Sequence, residues 1–157
     1  MATTPKSTVP FAVTATGAGV AQTIEAGGHH FASDALPAFG GQDAAPSPLY
    51  YALAALSSCN QVTSALVAKD LGITLGATRF EVVGDLDPSV IAGGAEGNAN
   101  FAKVTVRATV ETDADAAQFA QLVSETERRC PVTQLFRRSG LELDNHWTPA
   151  ALAASVA

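Results

Sequence analysis

Cysteine is scarce in this chain: there are two, Cys59 and Cys130, in 157 residues. Two cannot form the disulfide framework of a small secreted scaffold, and with three histidines they make no zinc-ligand spacing. Charge is also sparse, at 15% of residues, and positive charge is the scarcer sign. Nine lysines plus arginines against fifteen acids leave a formal charge of −6, which disfavours long-range attraction to nucleic acid or an anionic membrane. No apolar run approaches the ~20 residues that a membrane-spanning helix requires. The opening Met1-Ala2-Thr3-Thr4-Pro5-Lys6 has neither the apolar core of a secretory signal nor the arginine-rich helix of a transit peptide, so a cytoplasmic location is the default expectation. There is no repeat of useful period, no glycine-rich phosphate loop between a strand and a helix, and no G-x-S-x-G nucleophile elbow.

What is present is a globular composition, 47% hydrophobic. The length suits one domain over residues 1–157 with a core that needs no metal, residues 1–8 and 149–157 being candidate flexible ends. Short apolar groups at Phe11–Val13, Val20–Ile24 and around Phe31, punctuated by Gly17, Gly19, Gly27 and Gly28, predict a small antiparallel meander. From Asp34 to Ser47, Pro37, Gly40, Gly41, Pro46 and Ser47 predict a turn-rich loop without regular structure.

The clearest helix follows. Ser47 is a suitable N-cap, and Pro48 suits the first helical position, where its missing N–H would have had no intrahelical partner. Leu49, Ala52, Leu53, Leu56, Cys59, Thr63, Leu66 and Val67 recur at helical spacing, and Gly72 supplies a stop. A helix from Pro48 to Leu71 is about 36 Å long at 1.5 Å per residue. Its many alanines and serines let neighbouring backbones approach closely, so it is expected to be central and buried. Cys59 lies on its apolar stripe, one turn from Leu56 and one from Thr63.

Strands are predicted around Ala77–Leu86 and Phe101–Glu111, joined through the glycine-rich Gly93–Gly97. In the second, Val104, Val106, Ala108 and Val110 alternate with Lys103, Thr105, Arg107, Thr109 and Glu111, so one face is dry and the other wet. Asp113 is expected to cap a helix with Phe119, Leu122, Val123 and Thr126 inward, ending near Arg128-Arg129. Cys130-Pro131 opens a short helix that stops at Ser139-Gly140, and Leu141 to Trp147 alternates as a closing strand. The alanine-rich tail after Pro149 fits either a frayed helix or a disordered end. This order contradicts strict β-α-β alternation and predicts an antiparallel α+β fold.

Thiol chemistry proceeds through the thiolate, so a reactive cysteine needs a cation, a hydrogen-bond donor or a helix N-terminus beside it. Cys130 has the last of these, with Arg128 and Arg129 adjacent; Cys59, mid-helix among small apolar residues, has none. Against this stands the plain alternative that both are ordinary buried cysteines, packing as small hydrophobes.

Two motifs add to that reading. Gly40-Gly41-Gln42-Asp43-Ala44-Ala45-Pro46-Ser47-Pro48, followed by Leu53-Ala54-Ala55-Leu56-Ser57-Ser58-Cys59, resembles the G-G-x-D-x-x-P-S-P loop and A-A-L-x-x-C helix of OsmC/Ohr proteins, and Arg129-Cys130-Pro131-Val132 resembles their second, C-P-V cysteine. The resemblance implies antiparallel sheets around the long helix and a tightly intertwined homodimer with sites at the subunit interface. It also implies reduction of organic hydroperoxides as part of an oxidative stress response. Cys59 would be the attacking thiol, oxidised to sulfenic acid, and Cys130 would resolve it as a disulfide. The resemblance implies no bound cofactor or metal, only an external dithiol reductant.

The chain departs from that pattern at two places. Active members carry a glutamate near the start of the long helix, where this chain has Leu49 and Tyr50, and an arginine from the amino-terminal strands, whereas the first arginine here is Arg79. Substitutes can be named. His29 or His30 can supply a cation or proton donor, although paired histidines at a strand edge are commonly solvated surface. Tyr50 can donate its hydroxyl to a peroxide oxygen, although an aromatic residue at a helix start usually packs. Asp43 suits bracing of its turn more than acid-base chemistry. Arg129, like Arg128, can face the site or pair with acids such as Glu125. An OsmC-like dimer that has lost efficient turnover, and instead senses redox state or binds a small ligand, is the competing expectation.

Overall fold

The structure, a computed structural model, describes residues 7–153. The chain divides into two compact units, Met1–Tyr50 and Tyr51–Ala157. In the first, β1 (Val13–Ala18), β2 (Ala21–Ala26) and β3 (His29–Ser33) form the expected antiparallel meander, order β1-β2-β3. Its turns fall at Gly19 and at Gly27-Gly28, whose positive φ angles suit glycine. Register places Val13, Ala15, Ile24 and Phe31 on one face and Thr14, Thr16, Thr23, Glu25 and His30 on the other. The loop beyond is not wholly irregular, since Pro37–Phe39 makes one 3-10 turn. It is organised by Asp34, whose carboxylate accepts from the backbone N–H groups of Ala35, Gln42 and Ala44 at 2.8, 3.0 and 3.1 Å. Those three bonds, led by that from Ala44, hold the Asp34 pKa below the ordinary aspartate value.

Helix α1 runs from Pro48 to Leu71, as its sequence signals predict. The Tyr50 N–H lies 3.5 Å from Ser47 Oγ. Gly72, at φ +67°, ends the helix, and the Ile73 N–H reaches back to the Ala68 carbonyl at 2.9 Å. The helix is buried along one stripe rather than all round: Leu56, Asn60, Thr63, Ser64, Val67 and Ala68 are covered, while Val62 and Leu66 are exposed.

The second sheet comprises β4 (Leu75–Asp85), β5 (Lys103–Thr112) and β6 (Glu142–Ala150), in the order β4-β5-β6. The dry face of β5 is as expected, with Val104, Val106, Ala108 and Val110 all at most 2% exposed. One pairing corrects the antiparallel expectation: β5 and β6 run parallel. The reason is the connection, because the two helices between them carry the chain back to the end from which β5 started. Strand β6 also continues through Pro149 to Ala150, so the tail does not begin at residue 149; residues 154–157, like residues 1–6, lie outside those described.

Between β4 and β5 the sequence reading missed a six-residue helix, α2 (Pro88–Gly93), which opens with Asp87 accepting from the Ser89 N–H at 2.9 Å and closes on Gly94. Helix α3 (Ala116–Arg129) starts two residues later than expected. Its cap is Asp115, in a reciprocal capping box with Gln118, while the Asp113 carboxylate accepts from the Thr74 N–H at 2.8 Å. Helix α4 (Pro131–Arg138) follows at once, with Cys130 as its N-cap. Two apolar clusters form the core of this unit. Val67, Ala108, Val110, Phe119 and Leu122 belong to one, and Leu56, Val104, Val106 and Phe136 to the other. Phe80, whose ring meets Trp147 edge-on at 5.4 Å, packs against both.

Candidate functional site

The stripe of α1 that faces the core changes character at its middle. Cys59, Asn60, Thr63 and Ser64 replace aliphatic residues there, and the first three meet the start of α4. Asn60 is 1% exposed, and its Nδ2 donates to the Leu56 carbonyl at 2.9 Å. Its Oδ1 then faces Thr133 Oγ1 at 3.2 Å. Thr133, also 1% exposed, points its backbone N–H at Cys130 Sγ, 3.4 Å away. This is the capping geometry of a helix start with sulfur in place of the usual oxygen.

Cys59 and Cys130, both free thiols, come within hydrogen-bonding reach of each other. Cys130 is fully buried and Cys59 is half-buried. Their surroundings drive the two thiols in opposite directions. Burial, aided by the neighbouring Cys130 sulfur, pushes the Cys59 thiol up, against hydrogen bonds from the Val132 backbone and the Thr63 hydroxyl. Burial also acts to raise Cys130, but the Thr133 hydroxyl and N–H, with Cys59 and Thr63, outweigh it and hold this thiol below its ordinary value. Of the two thiols, Cys130 is therefore the one whose surroundings favour the thiolate.

The remaining sequence candidates sit as follows. Arg129 is in an ion pair with Asp70 at 2.6 Å and Arg128 with Glu125 at 2.7 Å, so both charges are engaged by carboxylates. Tyr50, 56% exposed, His29, His30 and Asp43 belong to the first unit. Asp43 takes φ +54°, and its N–H donates to the Ala35 carbonyl, while the carboxylate bracing that loop is Asp34. Among the described residues no group of His, Cys, Asp and Glu side chains is arranged to hold a metal ion. The sequence reading missed Asn60 and Thr133. The available signals were an amide on a buried helical stripe and a hydroxyl three residues after an N-cap cysteine.

The profile of the family described as OsmC-like protein matches residues 40–144, a span that includes both cysteines. The chain belongs to the OsmC-like family. The fold is shared with the OsmC-like protein of Mycoplasma pneumoniae, at TM-score 0.76 and 18% identity over 90% of this chain and 98% of that one. An organic hydroperoxide resistance protein from Elizabethkingia anophelis, with thiocyanate bound, matches at TM-score 0.71 and 19% identity over 92% and 99%. The organic hydroperoxide resistance protein OhrB of Bacillus subtilis matches at 0.59 and 24% over 89% and 98%. Among curated proteins none matches this sequence. Within this OsmC-like frame no helix among the described residues is long and apolar enough to cross a membrane.

Proposed function

We propose that this OsmC-like protein reduces organic hydroperoxides with its two cysteines, Cys59 attacking and Cys130 resolving. The observation that carries the reading is the convergence of the two sulfurs, with the more accessible thiol beside a sulfur whose hydrogen bonds favour its thiolate. Cys130 is the nearest base for the Cys59 proton. Once deprotonated, Cys59 attacks the terminal peroxide oxygen, the O–O bond breaks, and the alkoxide leaves as alcohol with the proton held by Cys130. Cys59 is left as sulfenic acid. The Cys130 thiolate then attacks that sulfur, the disulfide forms, and hydroxide departs as water after protonation. An external dithiol restores both thiols by exchange, itself becoming a disulfide.

A homodimer fits the first unit. Val13 and Phe31 lie on the apolar face of the β1–β3 sheet and are exposed, as are Val62 and Leu66 of α1, and a second copy is the partner that would cover them. The competing reading, a redox-sensing or ligand-binding dimer without efficient turnover, is favoured by one observation: Cys59 is pushed up rather than down, and its hydrogen-bond partners, the Val132 backbone, the Thr63 hydroxyl and the Cys130 sulfur, include no cation.

Cumene hydroperoxide with a dithiol reductant separates the two. Sustained steady-state turnover, stoichiometric loss of both thiols and abolition of activity in Cys59→Ser are expected of the peroxidase. Oxidation of the cysteines without sustained turnover would support the sensor, and an unreacted Cys59 under excess hydroperoxide would overturn the peroxidase reading.

A further inference from the structure

The Thr133 hydroxyl has one proton and two acceptors. Asn60 Oδ1 lies 3.2 Å away, and the Cys130 sulfur, already met by the Thr133 backbone N–H at 3.4 Å, lies within reach of the same hydroxyl. All three side chains are at most 1% exposed, so water does not compete for the bond. The Asn60 amide cannot turn freely to offer its Nδ2 instead, because that group is held by the Leu56 carbonyl at 2.9 Å. The bond between Asn60 and Thr133 joins residues 73 positions apart and ties α1 to the first turn of α4, the two segments that carry the sulfurs.

We propose that Thr133 and Asn60 are positioning residues for the thiol pair: the Thr133 hydroxyl is shared between the Asn60 amide and Cys130, turning to the sulfur when it is ionised and back to Asn60 when it is neutral or bonded to Cys59. The inference deepens the two-cysteine reading and rests on it for its role in turnover, but the sharing itself does not require a peroxide. It supplies by neutral hydrogen bonds what a cation would otherwise provide. Among the described residues, the hydrogen-bond partners of the two sulfurs are each other, Thr63, Thr133 and the Val132 backbone, with no lysine, arginine or histidine among them. On α3 and α4, Arg128, Arg129 and Arg137 are paired with Glu125, Asp70 and Glu127. The other titratable group facing Cys130 is Cys59 on α1, and the remaining neighbours, Thr63 and Val132, are neutral.

The decisive property is a difference in sign. Thr133→Val removes the donor, so the Cys130 thiolate population at neutral pH should fall about tenfold, the effect of losing a charge-assisted hydrogen bond. Asn60→Leu removes the competing acceptor and commits the hydroxyl to sulfur, so that population should rise. Mere loosening of the packing would shift both variants the same way. The measurement is thiolate absorbance near 240 nm against pH in full-length protein carrying Cys59→Ser, which leaves Cys130 as the sole thiol. Thr133→Ser should restore the titration. Identical titrations of Thr133→Val and its parent, or shifts of both variants in one direction, would overturn the proposal. If Thr133→Val does not fold, Asn60→Leu decides alone, a rise supporting the sharing and an unchanged or reduced thiolate population refuting it. Because no turnover is measured, opposite shifts in a protein that never reduces peroxide would sink the peroxidase reading and leave this one standing.

Discussion

Among the described residues, two three-stranded sheets treat their apolar faces in opposite ways. The β4–β6 sheet lies under helices, and alternate residues of β5 are sealed from water. The β1–β3 sheet has the same alternation, with valine, isoleucine and phenylalanine on one side and threonine, glutamate and histidine on the other, yet Val13 is 64% and Phe31 37% exposed. Among the described residues of the first unit only Ser33, Asp34 and Ser47 are buried, and neither apolar cluster draws on it. A three-stranded sheet patterned for burial that its own unit does not bury is marginal by itself. Identical local rules thus yield a self-sufficient core in one unit and a sticky face in the other.

Three experiments sharpen or break that contrast. The largest effect is expected at Leu122, fully buried in the second unit, where Leu122→Ala should cost about 2–5 kcal/mol in urea unfolding through lost burial and a residual cavity. A loss below about 0.5 kcal/mol, the level of an ordinary surface change, would show that this cluster is not what holds the unit together. Next comes the first sheet. Val13→Asp with Phe31→Asp should convert a dimer to a monomer in sedimentation or light scattering while leaving the second unit folded; an unchanged mass would remove the argument for a second copy on that face.

The smallest effect concerns the loop after β3. The Asp34 pKa is lowered in the folded chain, so its contribution to stability is complete above the unfolded aspartate value of about 3.9 and is lost as pH falls through the lower folded value. Exchange protection of the Gln42 and Ala44 amides, corrected for intrinsic rates, should therefore weaken only in acid. In Asp34→Asn it should be weak at every pH, and equal protection in the two proteins would mean that the carboxylate does not hold the loop.

Much of the architecture was legible from short-range signals. Ser47-Pro48 and Gly72 bracket α1, Cys130-Pro131 opens α4, and the alternation from Val104 to Val110 marks the dry face of β5. Misreadings occurred where local signals were ambiguous. Asp113 and Asp115 both look like caps, and only the reach of Gln118 back to the Asp115 N–H selects one. The glycines after Asp87 masked a one-and-a-half-turn helix. The two-cysteine site was suggested by family resemblance, whereas Asn60 and Thr133 went unnoticed because an isolated amide and hydroxyl carry no pattern until they face each other.

The sequence by itself determined most of the long helical and extended segments, which faces are apolar and which residues can carry redox chemistry, because capping, turn formation and periodicity act over a few neighbouring residues. The tertiary structure alone decided that β6 runs parallel to β5 and which groups, Asn60, Thr63 and Thr133, surround the two sulfurs. These outcomes depend on burial and on hydrogen bonds between groups such as Thr133 and Asn60, 73 positions apart, whose meeting no local rule specifies.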